Sequence, residues 1–206
     1  MRIEIIWEIR AKNTPLLKRK CNRCDNNSFY CSEKFRINAQ KKKIDIWLIY
    51  KCGKCDNTYN MTILNRTNTA TINKDLFDKF SENNLETVWE YAFSQETARK
   101  NNVTLDYGSV KYDIDYNNKL IGDILGFDSN IVSIKIKYPF DFRLKLSSIV
   151  RTCLNLSANQ LNQLIEAKVI SVENKDLQKK YKVKNQIVFQ VNLKGIKAFL
   201  CNIRRE

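Results

Sequence analysis

The chain has 206 residues, 43% of them apolar, and no histidine. That is long enough to enclose a core, and it excludes imidazole-based triads, histidine zinc proteases and histidine acid–base chemistry. The formal charge of +14 is uneven: residues 1–70 carry 15 basic and 6 acidic groups, 71–137 carry 8 and 11, and 138–206 carry 13 and 5. A lysine-rich codon bias would raise all three stretches alike, so two basic ends around an acidic middle point toward a polyanionic partner.

The start, MRIEIIWEIR, carries four charges, and no window reaches eighteen consecutive apolar residues. It reads as neither an export signal nor a membrane span, and a cytoplasmic protein is expected. RIEIIWEI, KFRINAQ, KIDIWLIYKC and TYNMTILNR are short apolar or alternating runs, so residues 1–70 are expected to form a β-rich domain. Two cysteine pairs punctuate it, CNRC at 21–24 and CGKC at 52–55, with 27 residues between them. Each pair forms a tight turn that aims two sulfurs at one point, and a hairpin through the basic turn KKK returns the second pair to the first.

Cys21, Cys24, Cys52 and Cys55 are therefore the expected ligands of one structural Zn²⁺ per chain, and knuckle, hairpin, knuckle, strand is the layout of a zinc ribbon. Arg19, Lys20, Arg23, Lys51 and Lys54 crowd the two turns. Four thiolates on a divalent ion leave a local charge of −2, which explains an electropositive setting. A closed four-sulfur site has no position for water and argues for scaffold over catalysis. Cys31 and Cys153 read as small hydrophobes, and Cys201 has no informative context.

From about residue 74 the period changes to 3.6. Leu85, Val88, Trp89, Ala92 and Phe93 form a stripe, with Asn83 as the expected helix start and Glu86 three residues on. Residues 71–137 are expected to be a mixed α/β middle ending in the strand IVSIKIKY. Its carboxylates Asp106, Asp113, Asp115 and Asp123 are scattered and name no catalytic pair. In residues 138–206, Leu146, Ile149, Val150, Cys153 and Leu154 mark one helix. Ser157 with Gln160 has capping-box spacing ahead of a second, and VISV and QIVFQVNL read as closing strands. The fold class is α+β, in three parts, with no internal repeat evident. Trp7, Trp47 and Trp89 sit on apolar patterns and are expected in the core.

Two resemblances go beyond pattern. KFRINAQKKKIDIWLIYKCGKCDNTYN, preceded by KRKCNRC, resembles the signature of a bacterial domain of unknown function, number 1062, which implies an architecture but no activity. FRLKLSSIVRTCLNLSANQLNQLIEAKVISV resembles the alpha-L RNA-binding motif of ribosomal small-subunit protein S4. Arg143 and Leu144 match its opening, Leu156, Ser157 and Gln160 its centre, and Leu164, Ile165 and Val169 the end of its second helix. The motif's central arginine is absent here, where Ala158 and Asn159 stand, and its closing VNG is VEN. The resemblance implies a helix–helix–strand module with a basic face.

Downstream, Lys175, Lys179, Lys180, Lys182 and Lys184 add charge. With Arg143, Lys145 and Arg151 they could follow a phosphate backbone without reading bases. The chain carries neither GxxxxGK nor GxGxxG. A non-enzymatic protein binding structured RNA is expected, with a protein–protein interaction module stabilised by zinc as the alternative. No membrane association and no small-molecule cofactor are expected.

Overall fold

The computed structural model describes residues 3–116, 130–172, 183 and 185–203. In chain order the strands are β1 Ile3–Ala11, β2 Leu16–Lys18, β3 Ser28–Gln40, β4 Lys43–Cys52 and β5 Thr58–Asn68. Helices α1 Lys74–Ser81, α2 Leu85–Phe93 and α3 Gln95–Lys100 follow, then β6 Thr104–Asp106, β7 Tyr112–Asp115 and β8 Ile131–Lys137. Last come α4 Leu146–Leu154, α5 Ala158–Glu166, β9 Ile170–Val172, β10 Ile187–Asn192 and α6 Leu193–Ile203. The fold is α+β, with two five-stranded sheets and six helices among the described residues.

Two compact units emerge, residues 11–111 and residues 1–10 with 112–206. These boundaries differ from the sequence partition at 70/71 and 137/138. The reason is pairing: β1 runs parallel to β8, with Ile5 opposite Ile134 and Trp7 opposite Ile136, so the first strand completes the sheet of the C-terminal unit. The acidic middle is likewise divided between the units.

In the 11–111 unit the sheet order is β5-β4-β3-β2-β6. β4 alternates strictly: Ile44, Ile46, Leu48, Tyr50 and Cys52 are buried, while the intervening residues are not. Its buried face packs against α1–α3 through Phe80, Val88, Ala92 and Ala98. The helices begin at side-chain caps. Asn73 accepts from the Asp75 amide, Asn84 from Thr87, and Ser94 from Thr97. The cap of α2 is thus Asn84, not Asn83. Asn83 takes a left-handed φ of 54° after α1, and its side chain accepts from the Phe35 amide.

The other unit has the order β7-β1-β8-β10-β9. Its core contains Trp7, Ile134, Ile136, Phe189 and the α4 stripe Leu146, Ile149, Val150, Cys153 and Leu154. Trp7 meets Phe189 edge to face at 5.4 Å. Buried Tyr138 shapes the segment before α4, its hydroxyl accepting from the amides of Phe142 (2.7 Å) and Leu144 (3.3 Å). The capping box of Ser157 and Gln160 is present on α5. Beyond β10 the chain turns helical at Leu193, the last residue of the expected strand QIVFQVNL. Gly195 lets this helix approach Val169, since a Cβ there would lie 2.7 Å from a valine methyl. Among the described residues no helix is long and apolar enough to cross a membrane.

Candidate metal centre

Both cysteine turns close in the same way. After β2, the Cys21 amide donates to the Asn26 carbonyl at 2.8 Å; at the end of β4, the Cys52 amide donates to the Asn57 carbonyl at 2.9 Å. The Gly53 amide then donates to the Ser28 carbonyl at 3.2 Å and ties the second turn to the start of β3. Because β3 and β4 pair as far as Phe29 opposite Cys52, the hairpin brings both turns to the same end of the sheet.

The four sulfurs of Cys21, Cys24, Cys52 and Cys55 consequently lie within 4.8 Å of one another, close enough to hold one metal ion. The closest approaches cross between turns, Cys21 to Cys55 at 3.6 Å and Cys24 to Cys52 at 3.5 Å. A disulfide needs about 2.05 Å, so these are free thiols sharing a point. Cys21 and Cys52 are buried and Cys55 is exposed. The centre therefore has a sheltered side and a solvent side.

Hydrogen bonds aim at the sulfurs. A backbone amide two positions on reaches each one: Arg23 to Cys21, Asn26 to Cys24, Lys54 to Cys52 and Asn57 to Cys55. Side chains cross over. Asn26 Nδ2 donates to Cys52 Sγ at 3.2 Å, and Asn57 Nδ2 donates to Cys21 Sγ at 3.7 Å. Each turn thereby supplies a donor to the first sulfur of the other, the kind of outer contact that orients a ligand and stabilises its anion.

The thiols respond unequally. The Arg23 amide draws Cys21 down, while Cys52, despite burial, is drawn to about 6 by Asn26 and the Lys54 and Cys55 amides. Against the pull of the Asn26 amide, burial and the neighbouring sulfurs push Cys24 up to about 12. Cys55 also rises, burial and the sulfurs of Cys21 and Cys52 outweighing the Asn57 amide. A cation at the common point would displace the protons and hold all four sulfurs as thiolates.

The asparagine donors to the sulfurs were not anticipated from the sequence. The signal was present: CNRCDN and CGKCDN are two copies of one six-residue pattern, a short internal repeat. Charged neighbours also differ from a simple basic halo. Lys54 pairs with Asp25 at 2.6 Å, and Arg19 lies over the Tyr59 ring at 4.2 Å. Cys31 stands outside the cluster, its thiol raised to about 11 by burial; Cys153 is buried and raised to about 12 for the same reason. Cys201 is exposed.

The expected phosphate-contacting residues are less concentrated. Arg143 and Lys145 are exposed before α4, and Arg151 is exposed in its last turn, where Nε donates to the Leu156 carbonyl at 3.4 Å. About 9 Å of helix axis separates Lys145 from Arg151. Lys179, Lys180 and Lys182 lie outside the described residues, as do Lys175 and Lys184. Of the scattered carboxylates, Asp106 pairs with Lys18 at 3.4 Å and Asp115 with Arg10 at 3.1 Å, while Asp123 is also outside the described residues.

The model of DUF1062, a protein family of unknown function, matches residues 37–176, about two thirds of the chain. The match takes in Cys52 and Cys55 and begins after Cys21 and Cys24. No curated protein and no solved structure matches the chain. With its matched span running from β3 past β9, the chain belongs to the DUF1062 family.

Proposed function

We propose that the chain is a non-enzymatic binder of structured RNA, ribosomal or transfer RNA, whose N-terminal part is a zinc ribbon. The observation that carries the proposal is a closed set of four convergent thiols in a unit where Arg36, Lys43 and Lys51 have no carboxylate partner among the described residues. Tetrahedral Zn²⁺ with Zn–S near 2.3 Å would set its sulfurs roughly 3.8 Å apart, close to the cross-turn separations of 3.5 and 3.6 Å. Four soft donors favour zinc over magnesium or calcium, and full coordination leaves no place for substrate. The ion's contribution is structural: it fixes the ends of β2, β3, β4 and β5 on one point.

For the RNA surface, the helix–helix–strand order of α4, α5 and β9 and the capping box support an alpha-L-like module. Arg143, Lys145 and Arg151, with Lys179, Lys180 and Lys182 from the adjoining segment, would contact phosphates. Net charge of +14 supplies long-range attraction. The test is retention of structured RNA by the full zinc-loaded chain across ionic strength. Affinity should fall steeply between roughly 50 and 200 mM salt, and Lys179→Glu with Lys180→Glu and Lys182→Glu should weaken it. A flat salt dependence, or a defined protein co-purifying after nuclease treatment with no RNA bound, would favour the interaction module instead.

A further inference from the structure

The sheet of the 11–111 unit has two faces of opposite character. Helices α1–α3 cover one. The other carries the residues that alternate with the β4 core positions: Lys43, Asp45, Trp47, Ile49 and Lys51. Cross-strand register extends them into rows. Thr58, Lys51 and Tyr30 form one row, and Thr62, Trp47 and Arg36 form another. Trp47 was expected in the core. It is half-buried, belongs to neither cluster on the helix-covered face, and has no ring contact among the described residues. Ile49 shares its position outside those clusters.

Charge divides along the same line. Residues 28–68, which build β3–β5, hold eight basic and three acidic groups; residues 71–100, which build the helices, hold four and six. Among the described residues, Lys18, Lys54, Lys79 and Lys100 of this unit pair with carboxylates, whereas Arg36, Lys43 and Lys51 do not. A β-bulge between Cys31 and Phe35, with Glu33 at a φ of 59°, opens a groove of about 550 Å³ beside Tyr30, Arg36, Ile49 and Lys51. Tyr30 is 39% exposed there, and its hydroxyl is held by Asp56 at 2.9 Å.

An aromatic in mid-sheet, a second aromatic at the groove and unpaired cations between them suit a polyanion whose units carry flat π faces. An apolar protein partner would leave the cations buried and unmatched. We infer that the face of β3–β4–β5 opposite the helices is a platform for single-stranded RNA, with an unpaired base stacked on Trp47 and the flanking phosphates held by Arg36, Lys43 and Lys51. The inference rests on the RNA-binding reading and adds a second contact region to it, one that engages unpaired stretches of a structured RNA.

The test measures binding of an unstructured oligouridylate and of a structured RNA to the full zinc-loaded chain, by fluorescence anisotropy. Trp47→Ala should weaken oligouridylate binding roughly five- to a hundred-fold, and Trp47→Phe should retain most of it. Arg36→Glu with Lys51→Glu should weaken binding and flatten the salt slope. If Trp47→Ala fails to fold, the Phe variant and the charge pair decide. Structured-RNA binding with oligouridylate affinity unchanged in these variants overturns the platform and leaves the wider reading standing. Failure of the wild-type chain to bind either RNA overturns both.

Discussion

The two units assemble their sheets by different routes. In the 11–111 unit β3, β4 and β5 are consecutive and antiparallel, joined by short turns, and the sulfur cluster gathers their ends. The other unit takes its first strand from the start of the chain and sets it parallel to β8. Local pairing closes short loops cheaply, but hairpin ends remain loose unless something holds them. Long-range pairing costs more loop entropy and is stabilised by core burial, here Trp7 between β1 and β10 neighbours. On the proposed reading, the first unit adds a metal crosslink to its core, whereas the second relies on packing.

That contrast breaks most visibly on metal removal. Structural zinc sites supply apparent binding free energies on the order of 10 kcal/mol. Chelation or Cys52→Ser should therefore abolish amide protection in β3–β5 while β8 and β10 keep theirs. Hydrogen exchange read strand by strand checks this, and equal loss in both units would show that the division is not energetic. Asn26→Ala sharpens the same point. Losing its 3.2 Å donor to Cys52 should weaken metal affinity about 10- to 100-fold in chelator competition, more than Asn57→Ala with its 3.7 Å contact.

Packing governs the next effect. Tyr138→Phe leaves the Phe142 and Leu144 amides without their acceptor and should cost about 1–3 kcal/mol in denaturant unfolding of the C-terminal unit, with metal affinity untouched. Asn84→Ala should be the mildest, about 1 kcal/mol, removing the cap of α2 while the sulfur cluster stays assembled. Thermal melts of the metal-loaded chain would register both.

Much of the 11–111 unit was legible because its signals are local. CxxC spacing names ligands, and IDIWLIYKC displays its own alternation. That alternation also specified Trp47 as outward, since Ile46 and Leu48 on either side point in; reading hydrophobicity ahead of period sent it to the core. Asn83 and Asn84 are adjacent and equally able to cap, and only the turn between α1 and α2 decides between them. β1 was grouped with the rest of residues 1–70 because nothing in its sequence names a partner as distant as β8. The closing strand QIVFQVNL was legible to within a residue at each end, but the helix Leu193–Ile203 after it was not anticipated, and its need for Gly195 is the Val169 contact. The thiol cluster was found from the sequence, its asparagine donors were not, and the repeated CxxCDN was the unused clue.

X-ray absorption at the zinc edge, on chain purified without added metal, tests the central claim most directly. The account predicts about one zinc per chain, surrounded by four sulfurs near 2.3 Å. A metal-free chain that still folds cooperatively, or a zinc bound through oxygen or nitrogen, would contradict it.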